Sequence, residues 1–232
     1  MLNARLAWEG FFVITADIEG SPVPLPELQP YYGVLLWPNF ERSKCVRKEL
    51  AKLRNDHYPQ YSTLPASRQR KGKSISSSAA CKTAQIHQRY KLINCADPTR
   101  TWKLLDMYHD HNWLTKRYFD TMVAASSDET VNFVMHCIEL YEEDADVGST
   151  LPLAGEIGFS IGRVYTSLSG WTQVRSAKNY GTVQLCLLGR WLQKLRYAFW
   201  SLGHCYCPVS DNLIAKNVMS SQFNSLKVFL KL

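Results

Sequence analysis

Residues 153–170 read LAGEIGFSIGRVYTSLSG. Glycines at 155, 158, 162 and 170 and β-branched residues at 157, 161, 164 and 166 make this run a poor helix. It predicts two neighbouring strands or one bent strand. Just beyond it, Val183, Leu187, Leu188, Trp191 and Leu195 recur on a helical period within Thr182–Leu195. YAFWSL at 197–202 then reads as another strand. Strand, strand, helix, strand with antiparallel hairpins places the chain in the α+β class, a mixed sheet with flanking helices.

Working outward, VNFVMHCIELY at 131–141 suits helix or strand, its Val, Phe, Ile and Tyr favouring strand, with a turn over Glu142–Gly148. Thr115 caps a predicted helix over Lys116–Ala125 whose apolar face is Phe119, Met122 and Val123. A short helix follows Pro98, with Trp102, Leu105 and Met107 or Tyr108 inward, and 109–115 is a loop. ERSKCVRKELAKLRN, from Glu41 to Asn55, has helical spacing, with Ser43 as cap and Val46, Leu50 and Leu53 on one face. YYGVLLW at 31–37 is a strand stopped by Pro38, and WEGFFVI at 8–14 is a strand or buried hook. Between them Pro22, Pro24, Pro26 and Pro30 hold the chain extended or in turns. The tail Phe223–Leu232 reads as a short terminal strand. Residues 59–88 are rich in Ser, Pro and basic residues and nearly free of aliphatics. They predict a linker or mobile insert, either inert or a basic arm that orders on a polyanion. The expected organisation is a small N-terminal domain over 1–58, the insert over 59–88, and a main domain over 89–232.

With 232 residues, 46% of them apolar and 20% charged, the chain can bury a core and is no disordered polymer. No run approaches 18 uncharged apolar residues, so no membrane-spanning helix is expected, and MLNARLAWEGFFVITADIEG lacks the pattern of a secretory signal. Seven scattered cysteines predict reduced thiols and a cytoplasmic setting. The net charge of +7 is unevenly placed. Residues 42–91 hold 13 basic and 2 acidic side chains, 92–150 hold 4 and 11, and 151–232 hold 9 and 2. Such a field steers a polyanion or is a solvated face.

GEIGFSIGRVYTSLSG at 155–170 followed by GTVQLCLLGRWLQKLRYAFWSLG at 181–203 resembles the leucyl/phenylalanyl-tRNA–protein transferases. NWLTKRY at 112–118, HCIELY at 136–141 and the stretch 31–50 also look like segments of that family. The resemblance covers most of 31–232 outside 59–88. It implies an acetyltransferase-like (GNAT-like) catalytic domain beside a small N-terminal domain. It implies an enzyme that moves an amino acid from aminoacyl-tRNA to a protein's N-terminal amine, marking that protein for an N-end degradation pathway. The implied partners are aminoacyl-tRNA and acceptor proteins with a recognised N-terminus, with no cofactor, no membrane and a monomeric state. The expected donor is Leu or Phe, with Arg as alternative. Ile157, Phe159, Ile161, Leu168, Leu187 and Phe199 are candidates for an apolar side-chain pocket, or for plain core.

Such aminolysis needs positioning, charge stabilisation and a proton acceptor. The resemblance sets Ser201 and Gly203 where the family carries Asp and Gln, so a hydroxyl stands in place of a carboxylate. His204 follows, with a ring suited to proton transfer near neutrality or to a plain strand end. Glu156 is an acid alone in an apolar run, at a strand start beside the site or exposed. Those three are the catalytic candidates. Trp113 and Thr115 match a substrate-lining loop, where the indole stacks on adenine or anchors the loop. Tyr165, Thr166 and Ser167 offer hydroxyls to adenosine or the ester, or alternate between core and solvent. Arg175, Ser176, Gly181, Thr182 and Gln184 open the long helix, whose free amides suit a carbonyl or anionic oxygen. His204-Cys205-Tyr206-Cys207 and His109-Asp110-His111 lack the spacing of a zinc site, and there is neither P-loop nor dinucleotide fingerprint. No metal is expected.

Overall fold

The computed structural model describes residues 5–7, 9, 12–19, 21–27, 31–53, 89–109, 112–127, 132–174, 178–204 and 228–231. The 153–170 run is a hairpin. β6 (Ala154–Ile161) turns at Gly162, which has a left-handed φ of 56°, and returns as β7 (Val164–Thr172). α5 (Tyr180–Lys194) then carries the chain to β8 (Phe199–His204). β8 lies parallel to β7, a pairing that needs such a crossover. The ambiguous 131–141 segment is β5 (Phe133–Glu142), antiparallel to β6 on one side and to β4 (Tyr90–Asn94) on the other.

Upstream, β3 (Tyr31–Leu35) leads through Leu36 into α1 (Trp37–Arg42), with Pro38 in the first turn where no amide is needed. α2 (Lys44–Lys52) is capped by the Ser43 hydroxyl accepting from the Val46 amide. The described strands form a sheet in the order β4-β5-β6-β7-β8-β3-β9, with β9 spanning Val228–Lys231. Every pairing in it is antiparallel except β7–β8. β1 (Phe12–Ile18) and β2 (Ser21–Glu27) form a separate two-stranded hairpin. The segment spaced by Pro22, Pro24 and Pro26 is thus a strand, and the described part of WEGFFVI from Phe12 on belongs to β1.

Helices cover both faces of the sheet. α1, α2 and α5 pack on one, where Leu35, Phe40, Val46, Leu188, Trp191 and Trp200 share a core. α3 (Pro98–Tyr108) and α4 (Lys116–Ser126) cover the other, with Leu105, Leu114, Phe119, Phe133, Ile157 and Trp171. Within 1–58, β1 and β2 pair with each other, while β3, α1 and α2 join the main sheet and core. β3 hydrogen-bonds to β8 and β9, and α1 and α2 bury their faces with α5, so they belong to the main core. The 59–88 insert lies outside the described residues.

The face that α3 buries runs through Thr101, Leu104 and Leu105; of the alternatives Met107 and Tyr108, Tyr108 packs against the core and Met107 is 68% exposed. Leu195 sits past the last turn of α5 and is exposed, because the helix stops there with Arg196 in a left-handed conformation.

Candidate functional site

β7 departs from regular pairing midway. Gly158 lies opposite Ser167 while Ile157 lies opposite Ser169, so Leu168 is the extra residue of a bulge. Its pairing with β8 ends at the same level. Val164, Tyr165 and Thr166 face Phe199, Trp200 and Ser201, whereas β7 continues to Thr172. The two strands part there around a cavity of about 500 Å³. All six residues from Ser167 to Thr172 line it, with Glu156 from β6, Gly181, Gln184 and Leu185 from α5, Leu202 from β8, and Tyr108 and His109 from the end of α3.

Glu156 is 3% exposed and sits at the wall of this slot. Strand alternation aims it at α5. Its Oε1 accepts from the Tyr165 hydroxyl and the Ser167 hydroxyl, each at 2.8 Å, and its Oε2 accepts from Gln184 Nε2 at 3.0 Å. The Trp200 indole donates to Ser167 Oγ at 2.8 Å, which leaves the single Ser167 proton for the carboxylate. Burial raises the Glu156 pKa, and the three donors oppose that rise only in part. The result is a carboxyl that is held rigidly and is more basic than an ordinary surface acid.

Gly158 makes the arrangement possible. A Cβ there would lie 2.4 Å from Tyr165 Oη and 2.8 Å from the Thr166 carbonyl oxygen, so the tyrosine crosses β6 only over a bare backbone. Tyr165 is fully buried and its ring packs edge-on against Trp200. Burial, then the neighbouring Glu156 charge, holds its hydroxyl protonated far above neutrality. It serves as a donor, never as a base.

The structure brings together four of the expected residues, Glu156, Ser167, Gly181 and Gln184, with Tyr165 beneath them. Gly181 stands in the first turn of α5, where Asn179 is left-handed (φ 52°) and gives no side-chain cap. Thr182 is half-buried in that turn and is not part of the cavity wall. Arg175 and Ser176 lie outside the described residues, as do Cys205 and Cys207. Thr166 is buried opposite Phe159 and Ser201. Ser201 is buried too, its Oγ accepting from the Gly203 amide at 3.4 Å. On β8 it is Leu202 that lines the slot, and alternation turns Ser201 to the other face. His204 ends β8 opposite Tyr32, and its side chain is not described.

Trp113 and Thr115 sit away from the cavity wall. The Thr115 hydroxyl caps α4 by accepting from the Tyr118 amide, and the Trp113 ring lies 6.1 Å from that of Tyr118. Five of the six apolar candidates divide between the two cores, and Phe199, half-buried at the start of β8, belongs to neither. Ile157, Phe159, Ile161 and Leu168 pack toward α3 and α4, Leu187 packs on the α5 side, and Leu168 alone of them borders the slot.

Sequence reasoning missed Ser169 and Trp171. Both line the cavity, both are more than nine-tenths buried, and neither Ser169 Oγ nor Trp171 Nε1 has a hydrogen-bond partner among the described residues. A buried donor left unmet costs about 1–3 kcal/mol. A strand pattern shows which residues share a face, but not whether a polar group finds a partner. It also missed His136 and Glu139. His136 Nε2 lies 2.8 Å from Ser160 Oγ, and burial pushes its pKa down to about 4. Glu139 is wholly buried under α3.

Among the described residues no group of three His, Cys, Asp or Glu side chains is placed to hold a metal ion, and no helix is long and apolar enough to cross a membrane. The residues able to act on a ligand are a buried basic carboxylate, unmet hydroxyl and indole donors, and an uncapped helix start, all on one slot. No family model matches this chain, and no curated protein matches it either.

Proposed function

We propose that the chain is an aminoacyltransferase of acetyltransferase-like architecture. It moves an amino acid from aminoacyl-tRNA to the N-terminal amine of an acceptor protein, with Glu156 as the proton acceptor. The observation that carries this reading is the buried carboxyl of Glu156, fixed by Tyr165, Ser167 and Gln184 and opening on the slot between β7 and β8. The motif runs at 112–118 and 153–203 supply the substrate class. Residues from both faces of the sheet line the slot, which leaves room for two substrates to reach Glu156 from different sides.

In this mechanism the acceptor amine nitrogen bonds to the ester carbonyl carbon. The bond from that carbon to the ribose oxygen breaks. The proton leaving nitrogen passes to Glu156 and then to the ribose oxygen, so the carboxylate ends as it began. Activation of the ester leaves proton removal and alignment as the protein's contributions. A carboxyl with a raised pKa performs the first better than an exposed one.

The test is transfer of labelled amino acid from a full set of charged tRNAs to peptides with different N-termini. The expected result is transfer by the natural chain and a fall of about 10²–10⁴-fold in E156Q. Absence of transfer from every charged tRNA overturns the proposal. One observation favours a second reading, a binding homologue without catalysis. Ser201 and Gly203 replace the acid and amide of the resembled family, and Ser201 is not among the residues that line the slot. A silent natural chain that gains transfer as S201D would establish that reading.

A further inference from the structure

We propose that Ser169 and Trp171 form a carbonyl-binding subsite on the free edge of β7, which takes the carbonyl oxygen of an α-amino acyl group while Glu156 faces its amine. The assignment of the ligand as an aminoacyl group rests on the transferase reading. The subsite itself rests on geometry.

Beyond Thr166 the side of β7 that would meet β8 has no strand partner among the described residues, and Ser167–Thr172 border the cavity instead. Within that stretch Ser169 Oγ and Trp171 Nε1 are the two donors that are buried, line the slot and meet no acceptor among the described residues. The indole nitrogen can only donate, so it selects an oxygen with a lone pair. Its ring is held in place, stacked on Tyr108 at 5.5 Å and pressed against the bare Gly155, where a Cβ would come within 2.8 Å of Trp171 Cζ2. Ser169 and Trp171 flank Gly170, and the register sets Gly170 directly opposite Glu156. Neighbouring strands lie about 4.8 Å apart. The two donors face the α3 side of the sheet and the carboxylate faces the α5 side. A ligand in the slot therefore meets donors on one flank and the Glu156 carboxyl on the other, which suit the carbonyl oxygen and the amine of an aminoacyl group.

The experiment uses the full chain with ¹⁵N-labelled tryptophan indoles. The probes are L-phenylalaninamide, which carries both groups, and 2-phenylethylamine, which keeps the ring and amine and lacks the carbonyl. The chain has seven tryptophans, and W171F identifies the Trp171 signal as the one it removes. The amide is expected to move that signal downfield in a saturable way, and the amine to leave it in place. S169A should weaken amide binding by about 3–10-fold without altering the amine. Should W171F fail to fold, the S169A comparison carries the test. An unmoved indole at saturation, equal affinity in S169A, or no saturable binding of the amide overturns the subsite. The two readings fail separately. Amide binding with no transfer from any charged tRNA keeps the subsite and removes the transferase, whereas transfer with an unmoved indole removes the subsite alone.

Discussion

Glu139 and Glu156 occupy neighbouring strands, both are buried, and each accepts from a tyrosine hydroxyl. Their surroundings differ in kind. Glu139 Oε1 accepts from Thr101 of α3, and its Oε2 accepts from Tyr141 at 2.5 Å. The Tyr141 oxygen in turn accepts from Arg100, whose guanidinium also reaches the carbonyl oxygens of Val147 and Thr150. That chain ends in a cation and ties α3 to the 143–150 turn, so the acid is a fastener. Among the described residues Glu156 has no cation in its hydrogen-bond set, and it opens on a cavity. A buried acid whose network closes on itself stabilises a fold, whereas one whose network ends at a cleft is available for chemistry.

The sharpest way to break this contrast is to neutralise each acid in turn. E156Q should cost the 10²–10⁴-fold in transfer given above while the chain still folds. Its pH dependence has a definite sign. The folded pKa of Glu156 is raised above its unfolded value, so the folded chain binds more protons in the window between the two. Stability contributed by this group is complete below the unfolded pKa and is lost as pH rises through the folded one. Denaturant titrations across that window should show E156Q losing less stability with rising pH than the natural chain. Equal slopes would mean that Glu156 does not carry the shift.

E139A should behave in the opposite way. It strands the Thr101 and Tyr141 hydroxyls and should lower unfolding stability by about 3 kcal/mol. Transfer per folded molecule should stay within about twofold of the natural chain, as expected of a group that supplies no proton transfer. G158A falls between the two, because its methyl group collides with Tyr165 Oη and the Thr166 carbonyl oxygen. A loss of about 2 kcal/mol is expected, with a drop in transfer as the tyrosine leaves Glu156. The smallest effect is reserved for the 112–118 loop. T115A removes the α4 cap and should cost about 1 kcal/mol in stability with transfer unchanged. A large drop in transfer there would return Thr115 to the substrate.

The contrast was partly legible in the sequence. Glu156 stood out as one acid between Gly155 and Ile157, and Gln184 was marked by its place in the first turn of a strongly periodic helix. The hairpin of β6 and β7 followed from glycine and β-branched content. Glu139 was hidden because 131–141 fits either period, and its partner Thr101, like the Arg100 that holds Tyr141, comes from an element about forty residues away. The choice between Met107 and Tyr108 stayed open because two helical faces of 98–108 carry apolar residues, and contact with β5, β6 and β7 selects the one that takes Tyr108 inward with Leu104 and Leu105. The bulge at Leu168 has no sequence mark of its own. Yet it governs which of the residues 167–171 face which layer, and with that the placing of Ser169 and Trp171 on the α3 side.

The Trp200–Ser167–Glu156 chain described above has a further consequence for traffic. An indole nitrogen, a carboxamide nitrogen and a tyrosine held protonated all give hydrogen bonds and take no proton at neutral pH. Ser167 has its one lone-pair approach from the interior occupied by Trp200. Behind Glu156, then, every road is one-way toward it. A proton that reaches the carboxyl has no inward exit and must return to the slot it came from. The carboxyl is a cul-de-sac, and whatever oxygen waits at its mouth is the one that leaves protonated.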